Sequence, residues 1–424
     1  MTAASGQDKL VIIGQGYVGL PIAMRAVETG FSVVGIDLDA SRVSSLREAR
    51  SYVDDVSDDE LTAALESGRY RPSQSYADAD RFTAAIIAVP TPLIRGTPDL
   101  SFVESAAVSI APHLRHGSLV VLESTTYPGT TEELLVPLLE QGSELVAGAD
   151  FAVGYSPERI DPGNTTWTLA NTPKVISGVN QSSLLAVEAL YSRLVSTTVA
   201  VSSTKEAEFT KLLENTFRHV NIALINEVTL FARQLGIDVW RVIDAASTKP
   251  FGYMRFTPGP GVGGHCLPVD PTYLSWRVRN ELHRPFRFVE LANEINDAMP
   301  HHVVKRIGAA LSLRGKVLAD SVVMLLGLAY KANTGDLRGS PALRIVELLM
   351  TLGARIEVVD SHVESHRCPP GVKPIELSED ALRLADIVVL LADHDDVDYP
   401  LVERVADCVL DTRHRLTAAH VEYL

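Results

Sequence analysis

Gly14-Gln15-Gly16-Tyr17-Val18-Gly19 follows a short apolar run at residues 10–13 and opens a segment of helical periodicity over 17–29. Alone, such a glycine string is a weak signal. Between a strand and a helix it constrains the chain strongly. The first glycine makes the turn, the second lets a pyrophosphate approach the backbone, and the third lets helix and strand pack. The helix N-terminus then faces the phosphates. A second apolar run over 32–37 ends on Asp37, about 20 residues on, where a carboxylate can bind the ribose diol of a dinucleotide. Asp37 repels a 2′-phosphate and so favours NAD, whereas the nearby Arg42 could accept one. Gly14, Gly16, Tyr17, Val18, Gly19, Asp37 and Arg42 are the expected cofactor-binding residues, and NAD the expected cofactor.

Further apolar runs at 84–89, 119–123, 152–155 and 175–178, with helix-like segments between most of them, predict a mostly parallel sheet covered by helices. Ser57 and Glu60 form a capping box for a helix over 58–67. From 203 to about 235 there is no Gly or Pro, and Phe209, Leu212, Leu213, Phe217, Val220 and Leu224 recur at helical spacing. That predicts one helix of ~30 residues, roughly 45 Å long. Helices are also expected over 238–246, 271–282 and 286–297. Strands follow at 322–327, 355–360 and 387–391, with a helix over 341–351. The expected fold is α/β: two Rossmann-like doubly wound domains joined by a central helical domain with one long helix. The boundaries are 1–202, 203–314 and 315–424, and the two α/β ends could be distant structural copies. A chain of 424 residues is too long for one core.

The formal charge of −15 argues against nucleic acid as a partner, because neutralising phosphates needs basic surface. A small anionic ligand remains open, met by local cations or helix N-termini. No apolar run approaches the ~18 residues that span a bilayer, and residues 1–9 are polar and lead directly into a strand. A cytoplasmic protein without a secretory signal or membrane partner is expected. Cys266, Cys368 and Cys408 are too widely spaced for a disulfide framework or a zinc pattern, so no metal is expected.

Gly259-Pro260-Gly261-Val262-Gly263-Gly264-His265-Cys266-Leu267-Pro268-Val269-Asp270-Pro271 places a thiol after an open glycine-rich loop, with a carboxylate four residues on. A cysteine there can be a nucleophile, whereas one in an apolar strand is packing. Gly-Pro loops also make ordinary turns. Val89-Pro90-Thr91-Pro92 and Ser124-Thr125-Thr126-Tyr127-Pro128-Gly129 both follow apolar strands, at the sheet end where open α/β folds bind ligands.

Glu158 in Ser156-Pro157-Glu158-Arg159, Lys211 and Asn215 on the long helix, Cys266, then Lys331 and Arg338 stand in a recognisable order. With the N-terminal fingerprint, the chain resembles the UDP-glucose/UDP-N-acetylhexosamine 6-dehydrogenase family from Leu10 to beyond Asp411. The resemblance implies oxidation of C6 of a nucleotide sugar from alcohol to carboxylate, with two NAD+ and one water. It also implies an N-terminal NAD domain, a central helical domain forming a homodimer, and a C-terminal domain that holds the nucleotide. Cys266 would trap the aldehyde as a thiohemiacetal and carry the thioester. Lys211 and Asn215, spaced i, i+4 on one helix face, would stabilise the developing oxyanion. Asp270 would position water or assist proton transfer, and Glu158 and Thr126 would surround the hydrolytic water. Thr91, Thr125 and Arg338 would contact the cofactor. Arg159, Tyr253, Arg255, Gly259, Gly263 and Lys331 would join Glu158, Lys211 and Asn215 around the substrate. The plainer readings are a solvated lysine, a polar helix position and a strand-end carboxylate; His265 reads as loop structure, and Cys368 and Cys408 as packing or surface residues.

Departures bear on the substrate. The UDP-glucose branch commonly has lysine where this chain has Val269. Residues 156–163 and the cysteine loop look more like the UDP-N-acetylhexosamine branch, and Phe251-Gly252-Tyr253-Met254 resembles its N-acetylglucosamine type. UDP-N-acetylglucosamine is therefore the expected substrate, used for surface polysaccharide or glycosylated metabolites. Arg255, where proline is more usual, leaves UDP-glucose and dTDP-sugars open. Leu328-Ala329-Tyr330-Lys331 lacks the dinucleotide fingerprint, which fits a domain without a second NAD. A β-hydroxyacid dehydrogenase and an inactive NAD-binding sensor are the rival readings.

Overall fold

The computed structural model describes residues 8–161, 164, 166–264 and 267–424. The chain forms two compact units, Met1–Glu214 with Thr272–Arg284, and Asn215–Pro271 with Pro285–Leu424.

The first unit contains strands β1 (Lys9–Ile13), β2 (Ser32–Ile36), β3 (Tyr70–Ser73) and β4 (Ala84–Ile87), a small hairpin of β5 (Leu93–Ile94) and β6 (Thr97–Pro98), then β7 (Leu119–Leu122), β8 (Ala152–Tyr155), β9 (Lys174–Gly178) and β10 (Thr198–Ala200). Eight of them form one sheet in the order β10-β9-β8-β7-β4-β1-β2-β3. Neighbours are parallel except β8 and β9, which run antiparallel. Period-two alternation sends Leu10 and Ile12 into one buried layer and Val11 and Ile13 into the other, so both faces are covered. The strand order reverses between β1 and β4, the kind of switch point at whose carboxyl ends open α/β sheets bind ligands. Strand β3 had no sequence signal because Pro72 interrupts it; an edge strand tolerates a missing N–H. Ser57 caps the helix Asp58–Glu66 by accepting from Glu60 N at 3.1 Å.

The second unit contains β11 (Val322–Leu326), β12 (Arg355–Val359), β13 (Lys373–Pro374), β14 (Ile387–Leu390), β15 (Val409–Asp411) and β16 (Val421–Tyr423), all parallel, in the order β13-β12-β11-β14-β15-β16. Both α/β expectations hold. The helix predicted over 286–297 instead runs Arg287–Ser312, straight through Pro300. Proline forfeits one helical hydrogen bond, but Met299, Val303 and Ile307 are buried against the sheet core and hold the helix.

The long helix, Thr204–Ala232, has its residues up to Glu214 in the first unit and those from Asn215 in the second. Its amphipathicity is inverted. Glu208, Lys211, Asn215, Thr216, His219, Asn226 and Thr229 are buried, while Phe209, Leu213, Phe217, Leu224 and Phe231 are 43–55% exposed. A surface helix normally does the opposite. Among the described residues no helix is long and apolar enough to cross a membrane.

Candidate active site

The three glycines of the fingerprint answer to different constraints. Gly14 has φ +92° and donates to Ile36 O at 2.7 Å; a Cβ there would strike the Ala88 carbonyl. A Cβ on Gly19 would strike the carbonyl of Gly14, whereas one on Gly16 would meet nothing within 4 Å. Protein packing therefore demands the first and third glycines but not the second. The open space beside Gly16 is what a close pyrophosphate requires. The following helix, Gly19–Glu28, has no side-chain N-cap that would compete with an anion. The residues present fit NAD.

Asp37 Oδ2 accepts from Gln15 N and its Oδ1 from Asp39 N, both at 2.9 Å. Arg42 lies 3.5 Å from Asp37 and 3.9 Å from Asp39. Two carboxylates already answer its charge, which weakens it as a 2′-phosphate receptor. No sequence pattern marks the side chains of Gln15, Tyr52 and Tyr70. Tyr52 Oη donates to Gln15 O at 2.6 Å and Tyr70 Oη to Gln15 Oε1 at 2.7 Å, so both rings brace the glycine turn.

The turns after β4 and β7 are tied together. Thr91 Oγ1 donates to Thr125 O at 2.8 Å, Ser124 Oγ to Val89 O at 2.8 Å, and Tyr273 Oη to Thr91 O at 2.8 Å. Glu208 pins the end of the second turn, accepting from Gly129 N at 2.5 Å and from Thr131 N and Oγ1 at 2.8 and 2.7 Å. Burial pushes its carboxyl up to about 7. The hydroxyl of Thr126 is fully buried and has no partner among the described residues. An unsatisfied buried polar group costs ~1–3 kcal/mol, which marks a place that water or ligand completes.

Glu158 and Lys211 meet in the first unit. Lys211 Nζ donates to the main-chain carbonyl of Glu158, and both residues are buried. Glu158 Oε1 accepts from Arg159 N at 2.6 Å and from Ile160 N. Arg159 is held by Glu214 at 2.6 and 3.4 Å and by Pro173 O at 2.6 Å.

In the second unit Asn215 Nδ2 donates to Asp270 Oδ2 at 2.6 Å, and Asp270 opens the helix Asp270–Leu282. Cys266 and His265 lie outside the described residues. The loop before them is anchored at both ends: Gly259 N donates to Asn226 Oδ1 and Gly264 N to Arg338 O, each at 3.0 Å. The space beside Gly263 is filled by protein, since a Cβ would come within 2.8 Å of Gly339 O and of Tyr330 Cβ. Asn226 continues to Asn296 Oδ1 at 2.9 Å, and His219 Nε2 reaches Asn293 Oδ1 at 2.7 Å. Arg255 pairs with Asp244 at 2.7 Å, so its charge is answered. Arg338 forks onto Asp336 at 2.9 and 2.6 Å. Tyr253 and Lys331 are half-buried. Burial raises the thiols of Cys408, in the core, and of Cys368, packed against it, which makes both poor nucleophiles.

The second sheet repeats the backbone device of the first. Gly327, with φ +86°, donates to Val359 O at 2.9 Å, and Leu328 N donates to Asp360 Oδ2 at 2.7 Å. These mirror Gly14 on Ile36 and Gln15 on Asp37. Asp360, however, also accepts from His362 N at 3.0 Å and lies 3.3 Å from His394 Nε2. Asn333 N donates to His394 Nδ1, so Nε2 carries the ring proton and donates. The Asp360 side chain is only 1% exposed, so this carboxylate is spent internally.

The chain matches the UDP-glucose/GDP-mannose dehydrogenase family in its NAD binding domain over residues 8–195, its central domain over 205–298 and its UDP binding domain over 324–418. It is 37% identical to an NDP-N-acetyl-D-galactosaminuronic acid dehydrogenase of Ralstonia solanacearum, covering 95% of each chain. The structure of a UDP-D-ManNAc dehydrogenase from Pyrococcus horikoshii matches at TM-score 0.87 and 31% identity over 98% of each chain. A UDP-glucose dehydrogenase from Pyrobaculum islandicum also matches at TM-score 0.87, with 28% identity over 100% of this chain and 98% of that one. The fingerprint, the braced Asp37 and these three matched domains together place the chain in the UDP-glucose/GDP-mannose dehydrogenase family, as an NAD-dependent nucleotide-sugar dehydrogenase.

Proposed function

We propose that the protein oxidises C6 of a UDP-N-acetylhexosamine, with UDP-N-acetylglucosamine the first candidate, from hydroxymethyl to carboxylate through a thioester on Cys266. The inverted long helix carries this reading. A lysine and an asparagine with only a solvated role would sit outward, yet Lys211 and Asn215 are buried one turn apart. The net reaction consumes one alcohol, two NAD+ and one water and releases one carboxylate, two NADH and three protons. Bound NAD+ is the hydride acceptor in both oxidations. The Cys266 thiolate adds to the C6 aldehyde, and the resulting oxyanion is met by the Lys211 ammonium and the Asn215 amide. Loss of a second hydride leaves the thioester. Water then attacks the acyl carbon and gives its proton to Glu158 while the thiolate departs; Thr126 supplies a hydroxyl beside that water. Asp270 holds the Asn215 amide in place, and its carboxylate assists proton transfer.

The exposed apolar ridge of the long helix supports a second copy of the chain as the partner, in a homodimer formed through this helix. UDP-N-acetylmannosamine and an N-acetylgalactosamine nucleotide are the competing substrates, because relatives named for those sugars share about a third of the sequence. Incubation with each UDP-N-acetylhexosamine, UDP-glucose and a dTDP-sugar, followed by NADH yield and product mass, tests the assignment. Two NADH per sugar and a uronic acid are expected. One NADH per substrate would point to a hydroxyacid dehydrogenase, and none to an inactive sensor. Cys266→Ser is expected to lose complete turnover, and full carboxylate production by that variant would sink the thioester route.

A further inference from the structure

Behind Glu158 the first unit buries a cluster that the proposed chemistry does not use. Glu123 directly follows β7, Lys174 opens β9, and Tyr191 lies on the helix Gln181–Leu194; each is at most 3% exposed. Lys174 Nζ donates to Glu123 Oε1, and Tyr191 Oη donates to Glu123 Oε2 at 2.6 Å. The same ammonium lies 3.6 Å from Glu158 Oε2, an oxygen without a hydrogen bond among the described residues.

The topology explains how Lys174 gets there. A strand parallel to β8 would start at the opposite end of the sheet from Glu158. Strand β9 instead runs antiparallel to β8, pairing Gly154 with Gly178 and Tyr155 with Ser177. Its first residue therefore arrives at the carboxyl end of β8, beside the Ser156-Pro157-Glu158 turn. Stability alone gives little reason for the cluster, since buried ion pairs are often no better than apolar residues of similar volume.

We propose that Lys174 is a positioning residue that keeps the Glu158 carboxylate ionised for attack by water, while Glu123 holds the proton that this crowded site cannot release. This rests on the role assigned to Glu158 above. Two buried carboxylates share one ammonium, so they titrate as a pair. Burial pushes Glu123 up to about 7. Burial also works to raise Glu158, but the Lys174 charge and the bonds to its carboxylate outweigh it and hold Glu158 below the usual range. The other groups facing Glu158 are Lys211, which adds positive charge from the long helix, and Arg159, which is neutralised by Glu214. Neither replaces the ammonium at Oε2.

The test is the pH profile of kcat for NADH formation at saturating NAD+. UDP-N-acetylglucosamine, UDP-N-acetylmannosamine and UDP-N-acetylgalactosamine are each supplied, and the fastest is carried forward. Lys174→Met with Glu123→Gln removes the ammonium and puts a neutral amide where the protonated Glu123 carboxyl stood, which leaves Glu158 as the ionisable carboxyl of the cluster. It is expected to move the acidic limb up by about one pH unit or more, a tenfold change in the ionisation of Glu158. Lys174→Arg keeps the cation and is expected to leave the limb in place. Glu158→Gln is expected to lower kcat and abolish the limb. If Glu158→Gln does so but the double variant keeps the wild-type limb, Lys174 has no such role and the catalytic reading of Glu158 survives. If Glu158→Gln turns over with the wild-type profile, the role of Glu158 itself falls, and the inference with it.

Discussion

The amide of Asn215 donates to the carboxylate of Asp270 at 2.6 Å, joining the buried face of the long helix to the first residue of the helix that follows the Cys266 loop. Asparagine at 270 can still accept that bond but carries no negative charge. Asp270→Asn is therefore expected to keep the fold and KM for the sugar within about twofold. It is expected to reduce kcat roughly 10²-fold, the order typical of general acid–base catalysis. A variant with unchanged kcat would reduce Asp270 to an orienting role.

Variants of Gly16 and Gly19 are expected to separate cofactor binding from folding. Gly16→Ala adds a methyl into space where no protein atom lies within 4 Å. Its unfolding free energy is expected to stay within ~0.5 kcal/mol of wild type, while KM for NAD+ rises at least roughly tenfold as the methyl meets the pyrophosphate. Gly19→Ala forces a methyl onto the Gly14 carbonyl and is expected to destabilise the fold. Denaturant unfolding and NAD+ titration on both variants read the two effects; equal NAD+ affinity for Gly16→Ala and wild type would remove the pyrophosphate from this place.

Asp37 and Arg42 are expected to set the choice between NAD+ and NADP+. Removing the carboxylate in Asp37→Ser forfeits charged hydrogen bonds worth ~1.5–3 kcal/mol to a ribose diol. It also takes away one of the two anions that answer Arg42. The ratio of kcat/KM for NAD+ over NADP+ is expected to fall by roughly 10² or more. An unchanged ratio would show that Arg42 stays committed to Asp39.

The strands of both sheets were legible where an apolar run of four or five residues is buried on both faces, as in Lys9–Ile13 or Val322–Leu326. The three-residue Val409–Asp411, though buried and interior to its sheet, is too short to show as a run. The edge strands Tyr70–Ser73 and Lys373–Pro374 were not legible either, because proline and charge at a sheet edge leave no periodic signal. The long helix was legible as a helix, but its orientation was not. Phe209, Leu213, Phe217 and Leu224 mark a core face by their spacing, and all four face outward. Spacing identifies a face without saying what covers it. The same limit hid Glu123, Lys174 and Glu208. A charged residue at a strand end or on a helix reads as solvated until the partner that neutralises it, 51 residues away for Glu123 and Lys174, is known.

His219, whose Nδ1 lies 3.4 Å from the Asn296 amide that Asn226 also bonds, ties stability to pH. Burial lowers its pKa below the ordinary 6.5, although Asn293 and Asp297 oppose the shift. Below about pH 6.5 the unfolded chain gains a proton that the folded state resists, so this contribution is present above that value and lost as pH falls. His219→Gln keeps a neutral amide toward Asn293 and cannot take up that proton. Urea midpoints measured at about pH 7.5 and 5.5 should fall further for wild type than for His219→Gln. Taking the difference between the proteins cancels the opposing pull of the raised Glu123 and Glu208 carboxyls, which ionise in the same range. Parallel losses in both proteins would show that His219 does not titrate on unfolding.

The exposed ridge from Phe209 to Phe231 runs for 22 intervals of ~1.5 Å, about 33 Å of helix carrying large apolar side chains. A stable interface buries ~800 Å² on each partner and is most apolar at its centre. A symmetric pair fits that ridge because each copy presents the same residues to the other. Light scattering is expected to give a mass twice that of one chain at micromolar concentration. Leu213→Glu with Leu224→Glu places a carboxylate at two points of the ridge, where pairing would bury like charges. It is expected to give a monomer with a native circular dichroism spectrum, since neither side chain contributes to the chain's own core. A wild-type monomer, or a variant that remains a dimer, would move the partner surface away from this helix.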